Sequence, residues 1–347
     1  MKHQERNRIL VIGTGNFGTC LAQHVAEKGY SVTVWTRSAE TAAHINESKR
    51  NPKYLSTINL SGRIDATDKI DEETVGRCSV IILAIPTQAL RITLTRFKTL
   101  IKAEHLLVSA LKGIEVGTLM FPSAIIGDIL GRSFGSNTVV LSGPSFASEV
   151  VARQPTAVSL ASFNKERCAW AQEIFHASHF RAYTLDDPIG LEVAGALKNV
   201  IAIAAGGAMG IGFQQNSLAA LLTRGLAEMT RIGVAMGANP ITFNGLGGVG
   251  DLFLTCTSDK SRNYTVGFRL GRGEPLEHVM TTMGSVAEGV TTAASAYELA
   301  SKLGVDAPII GEVYQVLYHK KPIVQAVTAL MTREAKAEFT LPPGPQA

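Results

Sequence analysis

Arg8-Ile9-Leu10-Val11-Ile12-Gly13-Thr14-Gly15-Asn16-Phe17-Gly18 decides the fold of this chain. Ile9 to Ile12 run without a polar residue, as in a parallel strand covered on both faces. A Gly-x-Gly-x-x-Gly loop follows at once. Thr19 to Lys28 then reads as a helix, with Leu21, Ala22 and Val25 on one face and Gly29 as its stop. A second strand, Ser31-Val32-Thr33-Val34-Trp35, completes the unit. In this order Gly13 permits the tight turn, Gly15 lets the backbone approach a pyrophosphate, and Gly18 lets helix and strand pack closely. The helix N-terminus adds amide donors and positive potential for the phosphates. A plain glycine turn would not require these flanking elements. The segment predicts a Rossmann-type dinucleotide-binding domain.

The end of the second strand bears on which dinucleotide. A site for NAD places Asp or Glu there, to accept from the ribose hydroxyl. This chain reads Trp35-Thr36-Arg37-Ser38, with no acid until Glu40. A guanidinium at that point can pair with a 2′-phosphate. NADP(H) is therefore expected in preference to NAD(H), with some use of NAD(H); the alternative is that Arg37 is a solvated loop residue.

Three more apolar runs end in turn signals, at the strand ends where open parallel sheets bind ligands. They are Ser79–Ile85 before Pro86, Leu106–Ala110 before Leu111-Lys112-Gly113, and Thr138–Leu141 before Ser142-Gly143-Pro144-Ser145-Phe146-Ala147. Lys112 falls at a strand end facing the cleft, where a surface loop lysine reads equally well. Ser145 lies at a helix start, where the simpler reading of its hydroxyl is a helix cap. Phe180 to Thr184 reads as the last strand of the domain.

The second half is helical. Asp186-Asp187-Pro188 is a helix-start signal. The helix it opens contains Leu191-Glu192-Val193-Ala194-Gly195-Ala196-Leu197-Lys198-Asn199-Val200-Ile201-Ala202, and Lys198 is the only cationic side chain between Arg181 and Arg224. Its neighbours at helical spacing are Leu191, Ala194, Gly195, Ile201, Ala202 and Ala205. An ammonium on such a face must be paired, driven toward neutrality or aimed into a cleft, unless it snorkels to water. Further helices are expected from Asn216 to Met236, where Arg224, Glu228 and Arg231 form an ion-pair face. Others run from Thr291 to Leu303, Pro308 to His319 and Pro322 to Lys336. Between them lie the glycine-rich run Gly245–Gly250, ending in Asp251, and Ser261-Arg262-Asn263. The latter offers a hydroxyl, a guanidinium fork and an amide near a helix start, a set suited to phosphate. A turn carboxylate at Asp251 and a surface ion pair at Arg262 are the simpler readings. The expected division is 1–188 for the Rossmann-type α/β domain, 189–336 for an all-α substrate domain, and 337–347 for a disordered tail.

Composition narrows the classes. The chain has 347 residues, 46% hydrophobic and 18% charged, with a net charge of +4. That is enough apolar material for two cores and too little basic charge for a nucleic-acid binder, while a small anionic ligand fits. The four cysteines show no paired spacing, which points to reduced thiols in a cytoplasmic protein. His176 and His179 lack a third partner, so no metal site is expected. The apolar run Val200–Phe213 is too short to span a membrane, and Met1–Arg8 does not fit a signal peptide.

Taken together, Gly13–Gly18, Leu111-Lys112-Gly113, Leu141–Ala147, Gly195–Asn199, Gly250-Asp251-Leu252, Ser261-Arg262-Asn263 and Val286–Gly289 resemble NAD(P)-dependent glycerol-3-phosphate dehydrogenases of the bacterial type, over roughly residues 8 to 336. The resemblance implies reversible hydride transfer between NAD(P)H and dihydroxyacetone phosphate, giving sn-glycerol 3-phosphate for phospholipid synthesis, in a cytoplasmic homodimer without membrane or nucleic-acid partners. It implies that Lys198 is the proton acceptor and that Lys112, Gly143, Ser145, Asp251, Arg262 and Asn263 line the substrate site, with Ser261 beside them. It implies cofactor contacts from Asn16, Phe17, Arg37, Lys112, Ala147, Arg262, Val286 and Glu288. Asn16-Phe17 replaces the family's frequent Ser-Trp, keeping the aromatic ring. Related dehydrogenases of 6-phosphogluconate or 3-hydroxy acids, and a non-catalytic NADP(H) sensor, are the competing readings.

Overall fold

A computed structural model describes residues 7–284, 287–335 and 337–338. Eight strands form one sheet: β1 Arg8–Ile12, β2 Ser31–Trp35, β3 Ile64–Thr67, β4 Val80–Leu83, β5 Leu106–Ser109, β6 Val139–Ser142, β7 Thr156–Ala161 and β8 Phe180–Leu185. Their order is β3-β2-β1-β4-β5-β6-β7-β8. Every pairing is parallel except β6 with β7. The helices of this half are α1 Asn16–Glu27, α2 Ala39–Ser48, α3 Glu72–Val75, α4 Thr87–Phe97, α5 Pro122–Leu130, α6 Arg132–Asn137, α7 Ala147–Val151 and α8 Lys165–Phe175.

The central strands are buried on both faces because alternate residues feed two cores. Ile9 and Val11 of β1 pack with Leu21 and Val25 of α1. Leu10 and Ile12 point the other way, toward Leu90, Leu94 and Phe97 of α4. This is the doubly wound α/β arrangement expected from the sequence. Helix α1 begins at Asn16, directly after Gly15 and three residues before the sequence-based start. Strands β3 and β7 had no place in the sequence reading. In β3 the alternation covers only four residues, with Asp65 exposed between the buried Ile64 and Ala66.

The second half holds α9 Pro188–Gly210, α10 Gln215–Ala235, α11 Asp251–Cys256, α12 Arg262–Gly271, α13 Leu276–Thr282, α14 Glu288–Lys302, α15 Pro308–His319 and α16 Ile323–Met331. Asp187 caps α9, accepting from the Gly190 N–H at 2.9 Å, and Pro188 occupies its first turn. Helix α9 is long and apolar enough to cross a membrane, but 89% of its most apolar window is buried inside the protein. It is the axis of the second core. Helix α12 lies on it with backbones in near contact: a Cβ at Gly206 would collide with the Tyr264 carbonyl, and one at Gly267 with that of Ile203. Only glycine allows this approach, which carries the start of α12 toward the middle of α9.

Three local expectations are corrected. Helix α16 ends at Met331 instead of Lys336, a residue outside those described. Glu228 does not join an ion-pair face with Arg224 and Arg231; it is buried and accepts from the N–H groups of Ile309 and Ile310 at 2.8 and 3.1 Å. The N-terminus of α15, led by Pro308 and lacking a capping side chain of its own, takes the carboxylate, while the half-buried Arg231 turns to the Asp306 carbonyl. The Ser145 hydroxyl does not cap α7, which has no side-chain cap; it donates to the Gly143 carbonyl at 3.0 Å.

Candidate active site

Lys198 projects from the middle of α9 and is 5% exposed. Its Nζ donates to Asp251 Oδ1 and to Thr255 Oγ1, both at 2.7 Å. Lys112, at the end of β5, donates to Asp251 Oδ2 at 2.7 Å and reaches the Gly143 carbonyl at 3.4 Å. The Asp251 carboxylate therefore lies between two ammonium groups from opposite halves of the chain. Ser142, the last residue of β6, donates to the same Oδ2 at 3.4 Å. Asp251 opens α11, so Thr255 falls one turn later on the same face, where its hydroxyl donates to the Asp251 carbonyl at 2.6 Å.

Burial and mutual charge together set the protonation behaviour of this cluster. It lowers the Lys198 pKa to about 8; Asp251 opposes the shift and Lys112 adds to it. Burial also works against the Asp251 carboxylate, yet Lys112 and Lys198 together hold its pKa below the ordinary value. The result is an anchored carboxylate beside an amine that can exchange a proton near neutral pH.

The glycine loop adjoins this cluster. The Lys112 ammonium lies 5.9 Å from the centre of the Phe17 ring. Gly13, at φ +121°, packs so tightly that a Cβ would collide with the Ala84 carbonyl, and a Cβ at Gly18 would strike the Gly13 carbonyl. A Cβ at Gly15 would meet nothing within 4 Å. Gly15 is the N-cap of α1 and no side chain caps that helix. Its first N–H groups open onto this free space, so a pyrophosphate fits there. Asn16 is exposed at the first position of α1, and Ala147 is the first residue of α7. Arg37 is exposed just past β2 and forms no hydrogen bond or ion pair among the described residues.

At the other side of the cleft, Ser261 caps α12 by accepting from the Tyr264 N–H at 3.3 Å. Arg262 follows, exposed and without an ion pair among the described residues. Asn263 is buried, and its Oδ1 accepts from the Gly289 N–H at 2.9 Å, which leaves the amide nitrogen as a donor. Glu288, at the start of α14, accepts from the Thr87 N–H at 2.8 Å, reaching across to the nucleotide-binding half. Burial raises the Glu288 pKa, with the Thr87 hydrogen bond and Arg262 opposing. Val286 lies outside the described residues. Thr255, Ser142 and Thr87 were not among the sequence candidates. The i, i+4 spacing of Asp251 and Thr255 is the one signal that could have pointed to Thr255.

Models of two protein families match the chain in order: the NAD-dependent glycerol-3-phosphate dehydrogenase N-terminus over residues 8–168 and its C-terminus over residues 187–328. A glycerol-3-phosphate dehydrogenase [NAD(P)+] of Leptospira biflexa is 50% identical over 332 residues, covering 95% of this chain and 99% of the relative. The chain belongs to the NAD-dependent glycerol-3-phosphate dehydrogenase family. Another glycerol-3-phosphate dehydrogenase [NAD(P)+], from Geobacter metallireducens, is 49% identical over 331 residues, covering 95% of this chain and 98% of the relative. The crystal structure of a glycerol-3-phosphate dehydrogenase from Coxiella burnetii superposes with a TM-score of 0.90 at 33% identity, covering 95% of this chain and all of that one. Membership in the glycerol-3-phosphate dehydrogenase family accounts for the fold class, an α/β dinucleotide-binding half followed by a helical half.

Proposed function

We propose that this chain is a glycerol-3-phosphate dehydrogenase in which Lys198 is the general acid/base. The observation that carries this reading is the buried Lys198–Asp251–Lys112 cluster next to the glycine loop. Residues 1–188 serve as the cofactor domain and residues 189–336 as the substrate domain, so the reacting atoms meet where β5 and β6 end against α9. Bound NAD(P)H supplies the hydride, and Arg37 favours the phosphorylated cofactor.

In the synthetic direction, negative charge grows on the C2 oxygen of dihydroxyacetone phosphate. Lys198 as ammonium stabilises that charge and delivers the proton. In oxidation the neutral amine takes the hydroxyl proton. Asp251 and Thr255 hold the nitrogen in place, and Lys112 keeps its affinity for protons down. Arg262 and the Asn263 amide, at the N-terminus of α12, grip the substrate phosphate, whose binding energy orients the triose. Lys112, Gly143 and Ser145 form the opposite wall of the substrate site, with Ser261 setting the conformation of the α12 start. The product, sn-glycerol 3-phosphate, feeds phospholipid synthesis, and the working form is a cytoplasmic homodimer.

The test is NADPH oxidation by the purified protein with dihydroxyacetone phosphate, 6-phosphogluconate oxidation products and 3-oxo acids as acceptors. Turnover with the triose alone is the expected result. Turnover with another acceptor only, or cofactor binding without turnover, would overturn the reading.

A further inference from the structure

Helix α5 in the nucleotide-binding half begins with Pro122 after Phe121, which cannot supply a capping side chain. Its cap comes instead from the other half. Glu192 of α9 accepts from the Ser123 N–H through Oε1 at 2.8 Å and from the Ser123 hydroxyl through Oε2 at 2.5 Å. The carboxyl is 4% exposed, so both bonds are shielded from water. Burial pushes its pKa up to about 7, with the two Ser123 donors opposing.

The position of Glu192 on α9 gives this contact its significance. Glu192, Gly195 and Lys198 are spaced by three residues and lie on one stripe of the helix. At Gly195 the helix approaches the end of β6 so closely that a Cβ would sit 3.1 Å from Ser142 Oγ and 3.6 Å from Lys112 Cγ. Glu192 is thus bound one turn before this contact, and Lys198 sits one turn after it. The rise from Glu192 to Lys198 is about 9 Å along a rigid helix. Phe121, the residue before Pro122, also packs in the same apolar cluster as Val193, Ala196 and Leu197.

We propose that Glu192 is a positioning residue for the dehydrogenase reaction proposed above, on which this role depends: its carboxylate docks α9, and with it Lys198, onto the nucleotide-binding half at Ser123. Loss of that bond removes a polar tie of α9 to the nucleotide-binding half, and any shift of the helix at its Gly195 contact carries Lys198 with it. A displacement of about 1 Å at the acid/base costs on the order of 10²-fold in rate. Glu192 is engaged with Ser123 and is not among the residues assigned to substrate or cofactor, so cofactor binding itself is expected to be unchanged.

The measurement is the single-turnover rate of NADPH oxidation by dihydroxyacetone phosphate, expressed per bound NADPH, in the wild type, Glu192→Ala, Glu192→Gln and Ser123→Ala. A role limited to overall folding lowers the number of NADPH sites and leaves the rate per site unchanged. The expected result is a fall per site of roughly 10- to 100-fold in Glu192→Ala, with an unchanged NADPH Kd. Glu192→Gln, whose amide can still accept from the N–H and donate to the hydroxyl oxygen, should stay within about threefold of wild type. Should Glu192→Ala fail to fold, Ser123→Ala removes only the hydroxyl bond and should still lose several-fold per site, about 3- to 10-fold. Wild-type rates per site in the folded alanine variants would overturn the positioning role while leaving the dehydrogenase reading intact. An inactive wild type would remove both.

Discussion

Lys198 donates a 2.7 Å hydrogen bond to Asp251, and both side chains are almost completely buried. An ammonium removed from water must be compensated, and a single carboxylate shared with Lys112 compensates it only in part. That imbalance leaves the amine with a pKa of about 8 and makes it suitable for proton transfer.

Replacing Lys198 with Ala should lower kcat by about 10²–10⁴-fold, the size of a lost acid–base group. Asp251 keeps its partner Lys112, so the fold should survive. Steady-state kinetics alongside circular dichroism checks both halves of this expectation; a variant that turns over at the wild-type rate removes Lys198 from the chemistry.

The direction of catalysis should depend on pH with opposite signs. Ketone reduction needs the protonated amine, so its rate falls as pH rises through about 8. Alcohol oxidation needs the free amine, so its rate climbs across the same interval. Profiles of kcat/KM in both directions test the assignment, and two profiles that move together contradict it.

Arg262→Ala removes an exposed guanidinium that forms no ion pair among the described residues. A charge-assisted bond to phosphate amounts to about 1.5–3 kcal/mol, so KM for dihydroxyacetone phosphate should rise by roughly 10- to 100-fold. If that KM is unaltered, the phosphate does not sit at the start of α12.

Arg37→Ala should lower kcat/KM for NADPH by about tenfold or more and leave the value for NADH nearly unchanged, since only the former carries a 2′-phosphate. The ratio of the two is the quantity to measure. A constant ratio means that Arg37 is a solvated loop residue.

Glu228→Gln should destabilise the helical half. Each carboxylate oxygen of Glu228 accepts one N–H of α15, and an amide nitrogen cannot accept. One buried donor is left unsatisfied, at about 1–3 kcal/mol. Urea unfolding reads this directly, and an unchanged midpoint would show that water satisfies the orphaned N–H.

Much of this molecule was legible in its residues because the signals are local. The β1–glycine loop–α1–β2 unit depends on chain neighbours alone, and so does the Asp187-Pro188 start of α9. Strand β3 was hidden because its alternation, Ile64 and Ala66 buried with Asp65 exposed between them, covers only four residues, and its place comes from pairing with β2. Glu228 was misassigned because i, i+4 spacing with arginines looks the same whether the face meets water or the bare N-terminus of another helix.

The amino-acid sequence by itself determined the opening β1–glycine loop–α1–β2 unit, the class of the two halves and the isolation of Lys198 on an apolar helix, since each is a property of residues adjacent in the chain or one helical turn apart. Only the tertiary structure decided that Lys198, Lys112 and Asp251 converge, that Thr255 joins them, and that Glu192 ties α9 to Ser123. Those contacts span 53 to 139 positions within the cluster and 69 at Ser123. They exist because glycines let α9 approach β6 and α12 at backbone distance, and because buried charges and uncapped helix ends must find partners wherever packing brings them.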